Sequence, residues 1–181
     1  MGSNPNTPPE ILAKLASDEF AIVRQIVARN QNTPPDVLNR LAREENSEVR
    51  RAIAGNLKTP PEALLYLSQY DIDDDLNVRY RLRSNPRTPP EVLASLVDEK
   101  NDEYRYELAE NPSTPPPILA KISNILAYNV RVQSNITWNP NTPVELLLRF
   151  AEFETWNNAL AGNPSTPLSI LAHLARCQSE S

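Results

Sequence analysis

Asn4-Pro5-Asn6-Thr7-Pro8-Pro9-Glu10-Ile11-Leu12-Ala13-Lys14-Leu15-Ala16, followed by Val23-Arg24-Gln25-Ile26-Val27-Ala28, is the stretch on which the fold turns. Its opening element, Asn-x-x-Thr-Pro, occurs seven times, with threonine at Thr7, Thr33, Thr59, Thr88, Thr114, Thr142 and Thr166. The steps between them are 26, 26, 29, 26, 28 and 24 residues, and asparagine stands three places before each: Asn4, Asn30, Asn56, Asn85, Asn111, Asn139 and Asn163. Self-similarity at such a period marks a stacked repeat architecture.

Threonine is a good N-cap, and proline directly after it suits the first helical position, where its missing N–H costs nothing. Each motif is therefore expected to start a helix, with Thr7, Thr33, Thr59, Thr88, Thr114, Thr142 and Thr166 as caps. Three residues on stand Glu10, Asp36, Glu62, Glu91 and Glu145. The four glutamates have capping-box spacing, and all five acids face the positive end of the helix dipole.

The fifth position after each threonine is leucine, from Leu12 and Leu38 to Leu147 and Leu171. With the fourth and eighth positions it forms one apolar stripe on a short helix. A second helix closes each unit, carrying apolar residues seven and three places before the next asparagine, such as Val23 and Val27 or Val49 and Ile53. Spacing alone leaves open whether this helix is α or 3₁₀. A unit of this size cannot bury its stripe alone, so neighbours must stack around a shared core. The expected class is all-α: a helical repeat solenoid of about 26-residue units without strands.

The register of Asn, Thr-Pro, two leucines and Val-Arg resembles the leucine-rich repeat variant family, from Asn4 to about Ala175. The resemblance implies alternating α- and 3₁₀-helices wound into a right-handed superhelix, and it implies no known reaction. An iron–sulfur cluster on an N-terminal cysteine group occurs in that family. This chain has Cys177 alone, so that cofactor is not carried over and none is expected.

A lone cysteine fits a reducing compartment, and the absence of an apolar leader or an apolar run of ~18 residues points to a cytoplasmic chain off the membrane. The net charge of -5 disfavours nucleic acid as the main partner. Asn135-Ile136-Thr137 fits the N-glycosylation pattern but has no secretory route to use it. Residues 1–3 read as a cloning remnant, 4–178 as a single solenoid with units beginning near 4, 30, 56, 85, 111, 139 and 163, and 179–181 as a tail. Neither end offers a polar capping unit, which suggests a portion of a longer parent chain or end-to-end self-association.

One column carries Arg24, Arg50, Arg79 and Arg105, each six residues after an acid: Asp18, Glu44, Asp73 and Glu99. In the last two units both are lost together, as Gln133 with Ala127 and Asn157 with Ala151. Joint loss favours a structural salt-bridge ladder over an anion-binding row. Asparagine in its column suits left-handed turns, so it is expected to end the second helix or bridge to a neighbour.

Asp71-Ile72-Asp73-Asp74-Asp75 begins like a calcium loop, but Leu76 and Leu82 stand where glycine and glutamate are needed. His173 and Cys177 do not complete a zinc site, and no catalytic constellation is present. Two places after the Val/Tyr column, Tyr80 and Tyr106 are expected side by side on adjacent units, with Arg81, Arg83 and Arg51 nearby. Aromatics with arginines are enriched at interaction hot spots, so these five are the candidate partner-binding residues. The functional expectation is a non-enzymatic scaffold for a protein or peptide. The alternative is a HEAT-like array binding nucleic acid through second-helix arginines.

Overall fold

The computed structural model describes residues 2–69, 76–97, 101–127 and 129–179. It is helical, and no strand occurs among the described residues. Each Thr-Pro element is followed by a first helix: α1 Pro9–Leu15, α3 Pro35–Leu41, α5 Pro61–Gln69, α7 Pro90–Ser95, α9 Pro116–Ile125, α11 Val144–Phe150 and α13 Leu168–Ser179. The second helices are α2 Ala21–Arg29, α4 Ser47–Gly55, α6 Leu76–Ser84, α8 Asp102–Glu110, α10 Val130–Trp138 and α12 Asn157–Gly162. All six are α, and among the described residues one 3₁₀ turn, Glu154–Trp156, leads into α12. The chain divides into two compact units, Met1–Leu96 and Val97–Ser181.

In the first unit α2, α4 and α6 pack side by side as one layer, with α3 and α5 neighbours in another. In the second, α8, α10 and α12 form the corresponding layer. The predicted stripes lie between the layers. Leu12, Leu38, Leu64 and Leu93 of the first helices and Val27, Ile53 and Leu82 of the second are buried in the first unit. Leu119, Leu147, Leu108, Ile136 and Leu160 hold the same positions in the second.

The asparagine column is a spine directed at backbone. Asn56 Nδ2 donates to Ala28 O (2.7 Å) and Asn30 O (3.0 Å) of the preceding repeat, and Asn56 Oδ1 accepts from Lys58 N (2.8 Å). Asn139 repeats this with Ala109 O (2.9 Å), Asn111 O (2.8 Å) and Asn141 N (2.9 Å). Asn30 likewise reaches Gly2 O (2.7 Å) and Asn4 O (2.9 Å), so Gly2 stands in the place that Ala28 and Ala54 hold one and two repeats later. These asparagines are extended, with φ -73° at Asn30 and -81° at Asn56. No described non-glycine residue has positive φ, so the left-handed geometry expected of them is not used.

The threonines are not N-caps. The residue before α1, α3, α7, α9 and α11 is the proline after each threonine, and none of these caps has a side-chain bond. Thr33, Thr59, Thr88 and Thr114 instead donate their hydroxyls backward to Val27 O, Ile53 O, Leu82 O and Leu108 O, at 2.6–2.7 Å. Thr142 does the same to Ile136 O, Thr7 bonds Asn4 O (2.8 Å), and Thr166 Oγ1 is buried without a partner. The physical reason is that the last turn of a helix leaves carbonyls unsatisfied. The asparagine N–H takes Val27 O, Ile53 O, Leu108 O and Ile136 O, and the threonine one turn beyond gives each a second donor, while proline fixes the next helix's start by its own φ.

A capping box cannot form, because a proline cap has no N–H to give. Glu62 instead accepts from Asn39 Nδ2 of the preceding repeat at 3.0 Å. That bond first, then its own backbone N–H and the charge of Arg87, hold its carboxyl below the usual carboxylate range against a small opposing desolvation. Side-chain capping moves to the second helices. Asn46 accepts from Glu48 N (3.0 Å) and Val49 N (3.2 Å), Asn101 from Glu103 N (2.9 Å), and Asn129 from Val132 N (3.2 Å).

Candidate interaction surface

Among the described residues, Arg24 and Arg50 do not pair with the carboxylate six residues before them. Arg24 Nη1 donates to the backbone carbonyl of Asp18 (2.7 Å), and its Nε meets the carboxylate of Glu44, one repeat on, at 2.8 Å. Arg50 reaches Glu44 O (2.7 Å) and is 3% exposed. Arg24 and Arg50 therefore satisfy carbonyls beyond the first helix, and Glu44 serves the arginine of the repeat before. Gln133 does the carbonyl work with an amide, donating to Ser123 O (3.0 Å) and Leu126 O (2.8 Å). Arg105 binds Asp102 (2.6 Å), but its Nε is buried without a partner. Ala127 stands where the next repeat's acid would be, which accounts for that orphan. Arg79 is exposed on α6. Asp73 and Glu99, like the acidic run from Asp71 to Asp75, lie outside the described residues.

Of the five candidate partner-binding residues, Arg83 is corrected. It replaces an alanine of its column and lies 2% exposed, so a partner on the surface cannot meet it. Tyr80 is 44% exposed in the first unit, with the Arg81 guanidinium 5.4 Å from its ring centroid. Tyr106 belongs to the second unit, where Arg131 stacks 3.8 Å from its ring centroid.

Arg51 and Arg81 line one cavity of about 360 Å³, together with Arg29, Ala52, Gly55 and Asn56. Three repeats contribute, through α2, α4 and α6. Glu48 orients Arg51 by an ion pair and also accepts from Gln25 Nε2 (2.9 Å). Arg29 and Arg81 have no carboxylate partner among the described residues. Gly55 makes room for Arg81: a Cβ there would lie 3.1 Å from Arg81 Cδ. Sequence reasoning missed Arg29 and Gly55. They share the column just before the asparagine, with Ser84, Glu110, Trp138 and Gly162, and its mixed character hid any pattern.

No described helix is long and apolar enough to cross a membrane. Among the described residues no three His, Cys, Asp or Glu side chains are grouped to hold a metal ion.

Residues 1–54, which contain the first two motifs and the helices α1 to α4 that follow them, match the family described as Leucine Rich Repeat Variant domain. The chain is similar to the leucine-rich repeat variant family. The columns that carry this likeness recur through the later repeats to Asn163 and Thr166. One solved structure, described as a leucine-rich repeat variant with a novel repetitive protein structural motif, aligns at 22% identity and a TM-score of 0.48, over 93% of this chain and 71% of its own. No curated protein matches the chain.

Proposed function

We propose that this leucine-rich-repeat-variant-like chain is a non-enzymatic, cytoplasmic scaffold that offers the outward face of its second helices to a protein or peptide partner. One observation carries this reading: the inward columns repeat and the outward ones do not. Leucine, asparagine and threonine recur in place because each is committed to core or spine. The column two places after the Val/Tyr reads Gln25, Arg51, Tyr80, Tyr106, Ser134 and Asn158; Gln25 is buried and the other five reach the surface in part or in full. Residues free of packing duty are the ones a repeat protein can vary for recognition. Tyrosine and arginine among them are the types that dominate interface energetics.

The test is affinity capture, identification of the captured protein, and reconstitution with the purified partner under hydrogen exchange. Protection is expected on α2, α4 and α6; protection confined to the first helices overturns the reading. Tyr80→Ala is expected to weaken capture with helicity intact, and full capture removes Tyr80 from the interface.

Nucleic acid is the second reading, favoured by the accessible Arg29, Arg51, Arg79 and Arg81 on α2, α4 and α6, Arg50 and Arg83 being buried. It is opposed by Asp102, Glu103, Glu107 and Glu110 on α8, which give a phosphate backbone no basic track there. Binding to DNA or RNA that falls steeply with salt would decide for it.

A further inference from the structure

We infer that the Arg29–Arg51–Arg81 cavity of the first unit is a carboxylate seat, which takes an acidic side chain from a peptide segment of the partner. The inference rests on the peptide-binding reading of the same helix face and names the chemistry of its partner.

Guanidinium groups offer planar forks of donors that match a carboxylate. Three of them, from three successive repeats, line a cavity of about 360 Å³, large enough for a side chain and its neighbours. Glu48 neutralises part of this charge through Arg51, while Arg29 and Arg81 keep theirs. Arg29 and Arg81 are exposed, so an arriving carboxylate finds donors with no carboxylate partner among the described residues. Gly55 on the cavity wall has no side chain to fill the space that Arg81 borders. Tyr80, with the Arg81 guanidinium 5.4 Å from its ring centroid, is 44% exposed beside that arginine.

The site's extent argues for a peptide over a nucleic acid. Three guanidiniums of this face converge on one cavity, with Arg79 exposed beside them on α6, whereas a nucleic acid needs many phosphate contacts along a track. The chain as a whole carries a net charge of -5.

Fluorescence anisotropy of the full chain at low salt, with a labelled glutamate-rich peptide, its glutamine counterpart and a single-stranded oligonucleotide, tests this. The glutamate peptide is expected to bind and the glutamine peptide not to. Arg29→Gln with Arg81→Gln is expected to weaken glutamate-peptide binding about tenfold or more, the scale of two lost charge-assisted contacts. Lys14→Gln with Arg40→Gln removes the same charge from the exposed side of α1 and α3 and is expected to weaken it less than about threefold. Equal loss in both double variants means diffuse attraction and overturns the seat. Tighter binding of the oligonucleotide, lost in Arg29→Gln with Arg81→Gln, overturns the acidic peptide in favour of nucleic acid. Should the glutamine peptide bind as well as the glutamate one, and Arg29→Gln with Arg81→Gln change neither, the seat is wrong while peptide binding stands. Peptide binding itself fails separately, through absent exchange protection on α2, α4 and α6.

Discussion

The second-helix layers of the two units are built alike and charged differently. In the first, α2, α4 and α6 carry seven arginines against Glu48. In the second, α8 sets Asp102, Glu103, Glu107 and Glu110 against Arg105, and Arg131 is the one arginine of α10 and α12. Yet Asn56 and Asn139 make the same three bonds to within about 0.2 Å. Because the spine is addressed to backbone groups, which every repeat possesses, its geometry does not depend on what the outer face displays. The charge these helices carry, buried at Arg50, Arg83, Arg105 and Glu107 and exposed elsewhere, thereby differs between the units over the same spine.

The comparison breaks most visibly at the spine. Asn56→Ala and Asn139→Ala each strand one buried carbonyl, Ala28 O or Ala109 O, and take a second donor from Asn30 O or Asn111 O, which keep the N–H of Thr33 or Thr114; each is expected to cost about 2 kcal/mol. Urea unfolding that finds a penalty in one unit and none in the other would show that the spine is not shared. The next effect separates two glycines of one column. A Cβ on Gly162 would lie 2.2 Å from Trp138 Cζ3, deep inside van der Waals contact, whereas one on Gly55 meets only the flexible Arg81 chain at 3.1 Å. Gly162→Ala is expected to lose about 1 kcal/mol and to shift Trp138 emission in a Trp156→Phe background. Gly55→Ala is expected to gain up to about 0.5 kcal/mol from helix propensity. Equal melting shifts for the two would mean that the ring does not rest on Gly162.

Threonines sharpen the contrast further. Thr59→Val removes the second donor to Ile53 O and is expected to cost about 1 kcal/mol. Thr166→Val removes a buried hydroxyl that has no partner and is expected to leave the melting temperature unchanged or slightly raised. The smallest effect restores in the second unit what the first possesses. Ala127→Glu offers Arg105 Nε the carboxylate that Glu44 gives Arg24, for an expected gain of about 0.5 kcal/mol that high salt reduces. A gain unaffected by salt would point to a cause other than the pair.

By itself the sequence determined where helices begin and which faces they bury. Proline restricts its own backbone and apolar spacing follows the helical turn, so both are local properties that fold before any partner repeat is known. The same spacing pointed to the right residues for the spine and the arginine column but gave them the wrong partners. Thr59 was expected to cap the helix after it and closes the one before; Arg24 was matched to the carboxylate of its own repeat and takes that of the next. A hydrogen-bonding side chain chooses among every acceptor within reach, and stacking alone decides which carbonyls come within reach. Stacking also buried Arg83 while leaving Arg81 exposed two residues away. It brought Arg29, Arg51, Gly55 and Arg81 to one cavity from three repeats, a meeting that no linear spacing records.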